Sequence, residues 1–207
     1  MSDKRTSAWY ARHVSDAFVK KAQKEGKRSR AVFKLTEILD KHGLRLRAEA
    51  VVVDLGCAPG SWCQEMSRRI GPQGLLVGID LLPLSAIAGV RLIQADFTSA
   101  EGLKSVQEAL SGRSVDLVLS DMAPEMSGNK LVDQARMMGL NDATLTFAVN
   151  HLREGGDLLL KSFMGDGYDA FKRELAGWFA TVKTVKPEAS RKTSAELFLL
   201  AQGFRRK

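Results

Sequence analysis

The chain has 207 residues, 44% of them hydrophobic, a net charge of +7 and two cysteines. That length suits one domain with a full core, and no apolar run approaches the ~20 residues of a membrane span. The N-terminus, MSDKRTSAWYARH, lacks the apolar core of a signal peptide, Cys57 and Cys63 are too few for a disulfide scaffold, and His13, His42 and His151 show no zinc-ligand spacing. A cytoplasmic, metal-free monomer is expected.

The charge is unevenly placed. Residues 1–50 hold 13 Lys/Arg against 6 Asp/Glu, and residues 51–207 hold 18 against 18. A basic segment on a neutral domain points to a polyanionic partner, most simply nucleic acid. Residues 1–50 are therefore read as a basic arm with helices that contacts RNA, and residues 51–207 as the sheet domain, together one structural domain. Trp9, Tyr10 and Phe18 lie among the charges, where they can stack on bases or anchor the arm.

In chain order, residues 1–14 are polar, residues 15–25 predict a short helix, and KEGKRSR (Lys24–Arg30) predicts a basic turn. Ser29 is a candidate N-cap for a helix from Arg30 to Lys41. Ala31, Leu35, Ile38 and Leu39 share one face of that helix, with Lys34 at its edge. From residue 51, strands and helices alternate, the pattern of a mostly parallel sheet with helices on both faces. Strands are expected at Val51–Leu55, Leu75–Asp80, Arg91–Gln94, Val115–Ser120, Asp157–Phe163, Val182–Val185 and Ala195–Ala201. Helices are expected over Ser61–Ile70, Ala100–Leu110, Asp133–Leu152 and Gly167–Phe179.

The stretch VVVDLGCAPGSW (Val51–Trp62) reads as strand, tight turn and helix N-terminus. That geometry holds nucleotide-like ligands in open α/β sheets. The turn matches neither the dinucleotide fingerprint GxGxxG nor the P-loop. An acidic strand end before G-x-x-P-G suits a ligand with a ribose and a cationic amino-acid tail but no phosphates, such as S-adenosylmethionine. Asp80, Asp96, Asp121 and Lys161 also fall at the carboxyl ends of strands, where such sheets form their crevice. Asp80 is placed to accept from ribose hydroxyls and Asp96 from an adenine amino group. Lys161 lies in the apolar run DLLLKSF, where a lysine needs a partner. Asp121 is the nearest candidate. If the last strand runs antiparallel, Glu196 joins them.

The chain resembles the FtsJ/RrmJ family of ribosomal RNA large-subunit 2'-O-ribose methyltransferases. SRAVFKL, VVDLGCAPGSW, IDLLP, QADF, SDMAPEMSG, LLLKSF and SRKTSAELFLLA carry the resemblance over nearly the whole length. It implies a Rossmann-like class I methyltransferase fold, with a seven-stranded, mostly parallel sheet and an antiparallel last strand. It implies S-adenosylmethionine as cofactor and a catalytic Lys-Asp-Lys-Glu tetrad at Lys34, Asp121, Lys161 and Glu196. Cofactor contacts fall on Gly60, Trp62, Asp80, Asp96 and Asp121. Cys57 and Ser61 stand where bacterial members often have Ala and Gly. Bacterial members of this length act on a uridine in the A-loop of 23S ribosomal RNA, so ribosomal RNA in the large subunit is the implied partner. On this reading Lys161 deprotonates or orients the ribose hydroxyl, or holds the emerging alkoxide. Two other classes remain: a ribosome-assembly factor with a vestigial pocket, and a small-molecule methyltransferase.

Overall fold

A computed structural model describes residues 17–44, 46–190 and 194–207. Trp9, Tyr10 and part of the loop before residue 194 lie outside them. Two short helices come first, α1 (Ala17–Lys24) and α2 (Ala31–Lys41), followed by β1 (Val51–Leu55), α3 (Ser61–Arg69), β2 (Leu75–Asp80) and β3 (Val90–Gln94). Then come α4 (Ala100–Leu110), β4 (Val115–Ser120), α5 (Lys130–His151), β5 (Leu152–Phe163), α6 (Tyr168–Trp178), β6 (Phe179–Val185) and β7 (Glu196–Phe204).

Among the described residues these strands make one seven-stranded sheet in the order β3-β2-β1-β4-β5-β7-β6. β1 to β5 are parallel, and β7 runs antiparallel to both β5 and β6. The chain winds outward from β1 to β3, then returns to add β4 on the other side of β1. That reversal opens a crevice above the carboxyl ends of β1 and β4.

Both faces of the central strands are covered, so β1 and β4 are buried at every residue. On one face Leu35, Ile38 and Leu39 of α2 and Trp62, Cys63 and Met66 of α3 pack on Val52, Leu76, Leu117, Leu159 and Phe198. On the other, Val106 and Leu110 of α4, Leu145 and Phe147 of α5, and Phe171 and Leu175 of α6 pack on the alternate strand residues. The two cores follow from the period-2 alternation of the strands. At ~25 cal/mol per Å² of apolar surface, each fully buried Leu or Phe contributes roughly 1.5–3 kcal/mol.

Several boundaries differ from expectation. Ser29 is not the N-cap residue of α2. Arg30 holds that position without a side-chain cap, and Ser29 Oγ accepts the Ala31 N–H at 3.2 Å. α5 starts three residues before Asp133, because Asn129 accepts the N–H groups of Leu131 and Val132. β5 begins at Leu152 rather than Asp157. Leu152 pairs with Val115 and Asp157 with Leu117, so the residues between them bulge out of the ladder. Phe18 takes the anchoring role: its ring centroid lies 5.8 Å from that of Phe33, and Arg30 lies over it.

Candidate active site at the sheet switch point

The turn after β1 is built close against β2. The N–H groups of Gly56 and Cys57 both donate to the carbonyl of Ile79, at 2.9 and 3.1 Å. Gly60 starts α3 at φ +93°, a backbone conformation that L side chains rarely adopt. A Cβ there would also meet Ile87 at 2.7 Å and Arg28 at 3.2 Å.

Beside this turn lies a cavity of about 410 Å³, within the usual size range of small-molecule sites. Asp80, Asp96 and Asp121 line it, with apolar walls from Ile79, Leu81, Phe97 and Leu140. Asp80 Oδ2 accepts the Ala58 N–H and Oδ1 the Leu82 N–H, both at 2.8 Å, so this carboxylate ties the glycine turn to the next loop. Asp96 Oδ1 accepts the Thr98 hydroxyl at 2.7 Å and the Thr98 N–H at 2.9 Å. Those two bonds hold its carboxyl below the ordinary value.

Asp121 also faces a second, much smaller hollow. Asp54, Gly56, Cys57, Ala58, Ser61 and Trp62 line it from the turn side. Trp62 is nearly buried, and its Nε1–H donates to the Ala31 carbonyl at 2.8 Å, which fixes α3 to the first turn of α2. Asp54 is buried at the end of β1 and accepts the Cys63 thiol at 3.3 Å. Burial, with Asp121 and Asp80 nearby, pushes its carboxyl up to about 7.

The four tetrad candidates meet at the rim of the crevice. Lys161 Nζ donates to the Asp121 carbonyl at 2.5 Å and to Asp121 Oδ1 at 3.0 Å. Lys34 Nζ lies 2.7 Å from Glu196 Oε1 and 3.9 Å from Asp121 Oδ1. The Lys34 ammonium also sits 5.6 Å from the Phe198 ring centroid. Ser190 Oγ bonds Glu196 Oε1 at 2.9 Å. Burial works to raise the Glu196 carboxyl, but Lys34, Lys161 and Ser190 outweigh it and hold the carboxyl below its ordinary value. The antiparallel β7 makes this possible: Glu196 is its first residue and pairs with Phe163 at the end of β5. Glu196 touches Lys34 directly and acts on Lys161 only through its field.

An FtsJ-like methyltransferase model matches residues 27–204. The chain belongs to the FtsJ-like methyltransferase family. It is 50% identical over 196 residues to the ribosomal RNA large subunit methyltransferase E of Alkalilimnicola ehrlichii, covering 95% of this chain and 93% of that protein. It is 47% identical over 202 residues to the protein of the same name from Stenotrophomonas maltophilia, covering 98% and 96%. Among solved structures, a ribosomal RNA methyltransferase of Plasmodium falciparum superposes with a TM-score of 0.77 at 28% identity, covering 87% of this chain and all of that one. The FtsJ-like methyltransferase thus carries its family's fold, and the sequence expectations of an α/β class, a mixed seven-stranded sheet and an enzyme hold. No helix among the described residues is long and apolar enough to cross a membrane.

Two features of the site escaped the sequence reading. Arg28, read as part of the RNA footprint, donates to the carbonyls of Pro59, Ser85 and Ala86, each at 3.1 Å, and so straps the glycine turn to the loop after β2. Lys27 is likewise engaged, 3.0 Å from Glu65. The Ser190 contact to Glu196 was the other. Ser190 opens the stretch SRKTSAELFLLA, but its contact, like those of Arg28, depends on segments brought together by the fold.

Proposed function

We propose that this FtsJ-like methyltransferase transfers a methyl group from S-adenosylmethionine to the ribose 2'-hydroxyl of a uridine in the A-loop of large-subunit 23S ribosomal RNA. The observation that carries the reading is the contact of Lys161 with Asp121, whose own residue lines both the larger cavity and the hollow of the glycine turn. The names and extents of the relatives support ribosomal RNA as the substrate class.

The residues present fit the cofactor. Asp80 and Asp96 lie in a cavity with apolar walls, as a ribose and an adenine require, and the Gly56–Gly60 turn with Asp121 would take the amino-acid tail. Asp121 supplies negative charge toward a cationic ligand. When bound, S-adenosylmethionine supplies a methyl group already activated by its sulphonium.

The protein's task is then to place a hydroxyl and manage its charge. A lysine ammonium has three N–H donors. Two of those on Lys161 point to Asp121, and the third is available to the acceptor oxygen. Lys161 orients that oxygen and stabilises the charge it gains as the O–CH3 bond forms, the methyl–sulphur bond breaks and the hydroxyl proton passes to solvent water. Lys34, held by Glu196, positions the ribose and its phosphate. Alignment of this kind supplies up to roughly 7–11 kcal/mol of a barrier.

The test is to incubate the protein with labelled S-adenosylmethionine and large subunits from cells that lack it, then map ribose methylation. One new 2'-O-methyluridine in the A-loop is expected. Transfer to a base, to another RNA or to no RNA would overturn the reading.

A further inference from the structure

Among the described residues the exposed large hydrophobic side chains are Leu81, Leu82, Met126, Leu131, Val132 and Met164. Leu81 and Leu82 line the cavity assigned above to the cofactor. Met126, Leu131 and Met164, exposed by 61%, 75% and 57%, line a second groove of about 470 Å³. Solvent-facing apolar residues gathered at one place mark a binding surface.

The groove is continuous with the catalytic cluster. Ala195, in its wall, is bonded to Glu196, and the Met164 N–H donates to the Ala195 carbonyl at 3.0 Å. Phe163, also in the wall, pairs in register with Glu196 and lies two residues beyond Lys161. The groove and the cofactor cavity share no lining residue. The loop that follows Asp121 passes from one to the other, carrying Met122 and Ala123 in the first and Met126 in the second. Methyl transfer needs the attacking oxygen opposite the departing sulphur, so the acceptor must approach the cluster from the side away from the cofactor.

Its walls are preorganised. Asp133 accepts the Ser127 N–H and hydroxyl at 2.7 Å each and the Gly128 N–H at 3.3 Å, which fixes the loop bearing Met126. Gln134 Nε2 donates to the carbonyls of Phe163 and Asp166, which fixes the loop bearing Met164. The charged lining side chains not used in this way are Lys130 and Asp166.

Resting on the reading above, we infer that this groove seats the base of the acceptor nucleotide, with its ribose at Lys161 and a neighbouring phosphate at Lys130. A 2'-hydroxyl buried against stacked neighbours is reached by turning the nucleotide out, and an enzyme offers the extruded base a surface in exchange. Thioether and leucine side chains supply such a surface and adapt to the ring.

The test uses the full chain with Leu131→Ser and Met164→Ser combined, both exposed positions. Against large subunits lacking the modification, the KM for RNA should rise about tenfold, with the Kd for S-adenosylmethionine and the melting temperature unchanged. Met164→Leu should keep the wild-type KM. An unchanged KM in the double variant overturns the groove assignment and leaves the proposed function standing. A rise seen with subunits but not with deproteinised ribosomal RNA also overturns it, because the groove would then meet a ribosomal protein. Failure of the wild-type protein to methylate ribosomal RNA while still binding S-adenosylmethionine sinks the function reading, and the groove assignment with it.

Discussion

Lys34, on a helix that precedes the sheet, forms a 2.7 Å ion pair with Glu196, the first residue of its last strand. The pair joins α2 to β7 at the rim of the crevice. Glu196→Ala leaves Asp121, at 3.9 Å, as the one carboxylate paired with Lys34 among the described residues. Methyl transfer should fall about 100-fold or more, the scale of losing one preorganised electrostatic contact. Lys161→Ala should fall at least as far. Calorimetry should show wild-type cofactor affinity for both. Near-wild-type turnover by Lys161→Ala would remove that residue from the mechanism.

Arg28 bonds three carbonyls on two loops that border the proposed cofactor site. Arg28→Ala should therefore weaken S-adenosylmethionine binding by about tenfold, from the loss of charge-assisted bonds, and leave kcat nearly intact at saturating cofactor. An effect on RNA affinity alone would show that Arg28 reads the substrate instead.

The basic segment divides by exposure. Lys24 faces solvent, whereas Lys27 is paired with Glu65. Lys24→Ala should lower the salt dependence of RNA binding by about one counterion, and Lys27→Ala should lower it far less. Equal slopes for the two variants would contradict this division.

Asp54 gives a pH signature. Its carboxyl is raised from 3.8 to about 7 by burial, so between those values the folded state holds a proton that the unfolded state has lost. Its contribution to stability is complete below the lower value, declines as pH rises, and is lost above about 7. Glu196, held low, works in the opposite sense at acid pH. The stability difference between the wild type and Asp54→Asn should therefore shift against the wild type from about pH 4 to about pH 7 and then level off. Chemical denaturation across that range reads it directly, and a flat difference would show Asp54 ionised throughout.

The sheet was largely legible because strong local signals agreed with tertiary packing. β1, β2, β4 and α4 have the bounds their residue patterns predict. A strand start was expected at Asp157, but Gly155 and Gly156 already lie within β5, where an irregular register accommodates them. The tetrad was legible through strand-end placement and family resemblance, and Lys34, Asp121, Lys161 and Glu196 do converge. Arg28 and Ser190 were not, because a side chain that bonds loop carbonyls or a distant carboxylate leaves no periodic trace.

β7 lies between β5 and β6 although it follows both in the chain. A polypeptide interrupted after β6 would carry every residue that lines the 410 Å³ cavity, yet leave β5 and β6 without their shared neighbour and lack the carboxylate paired with Lys34. On the proposed function, one late insertion thus completes the polar rim and closes both strand edges.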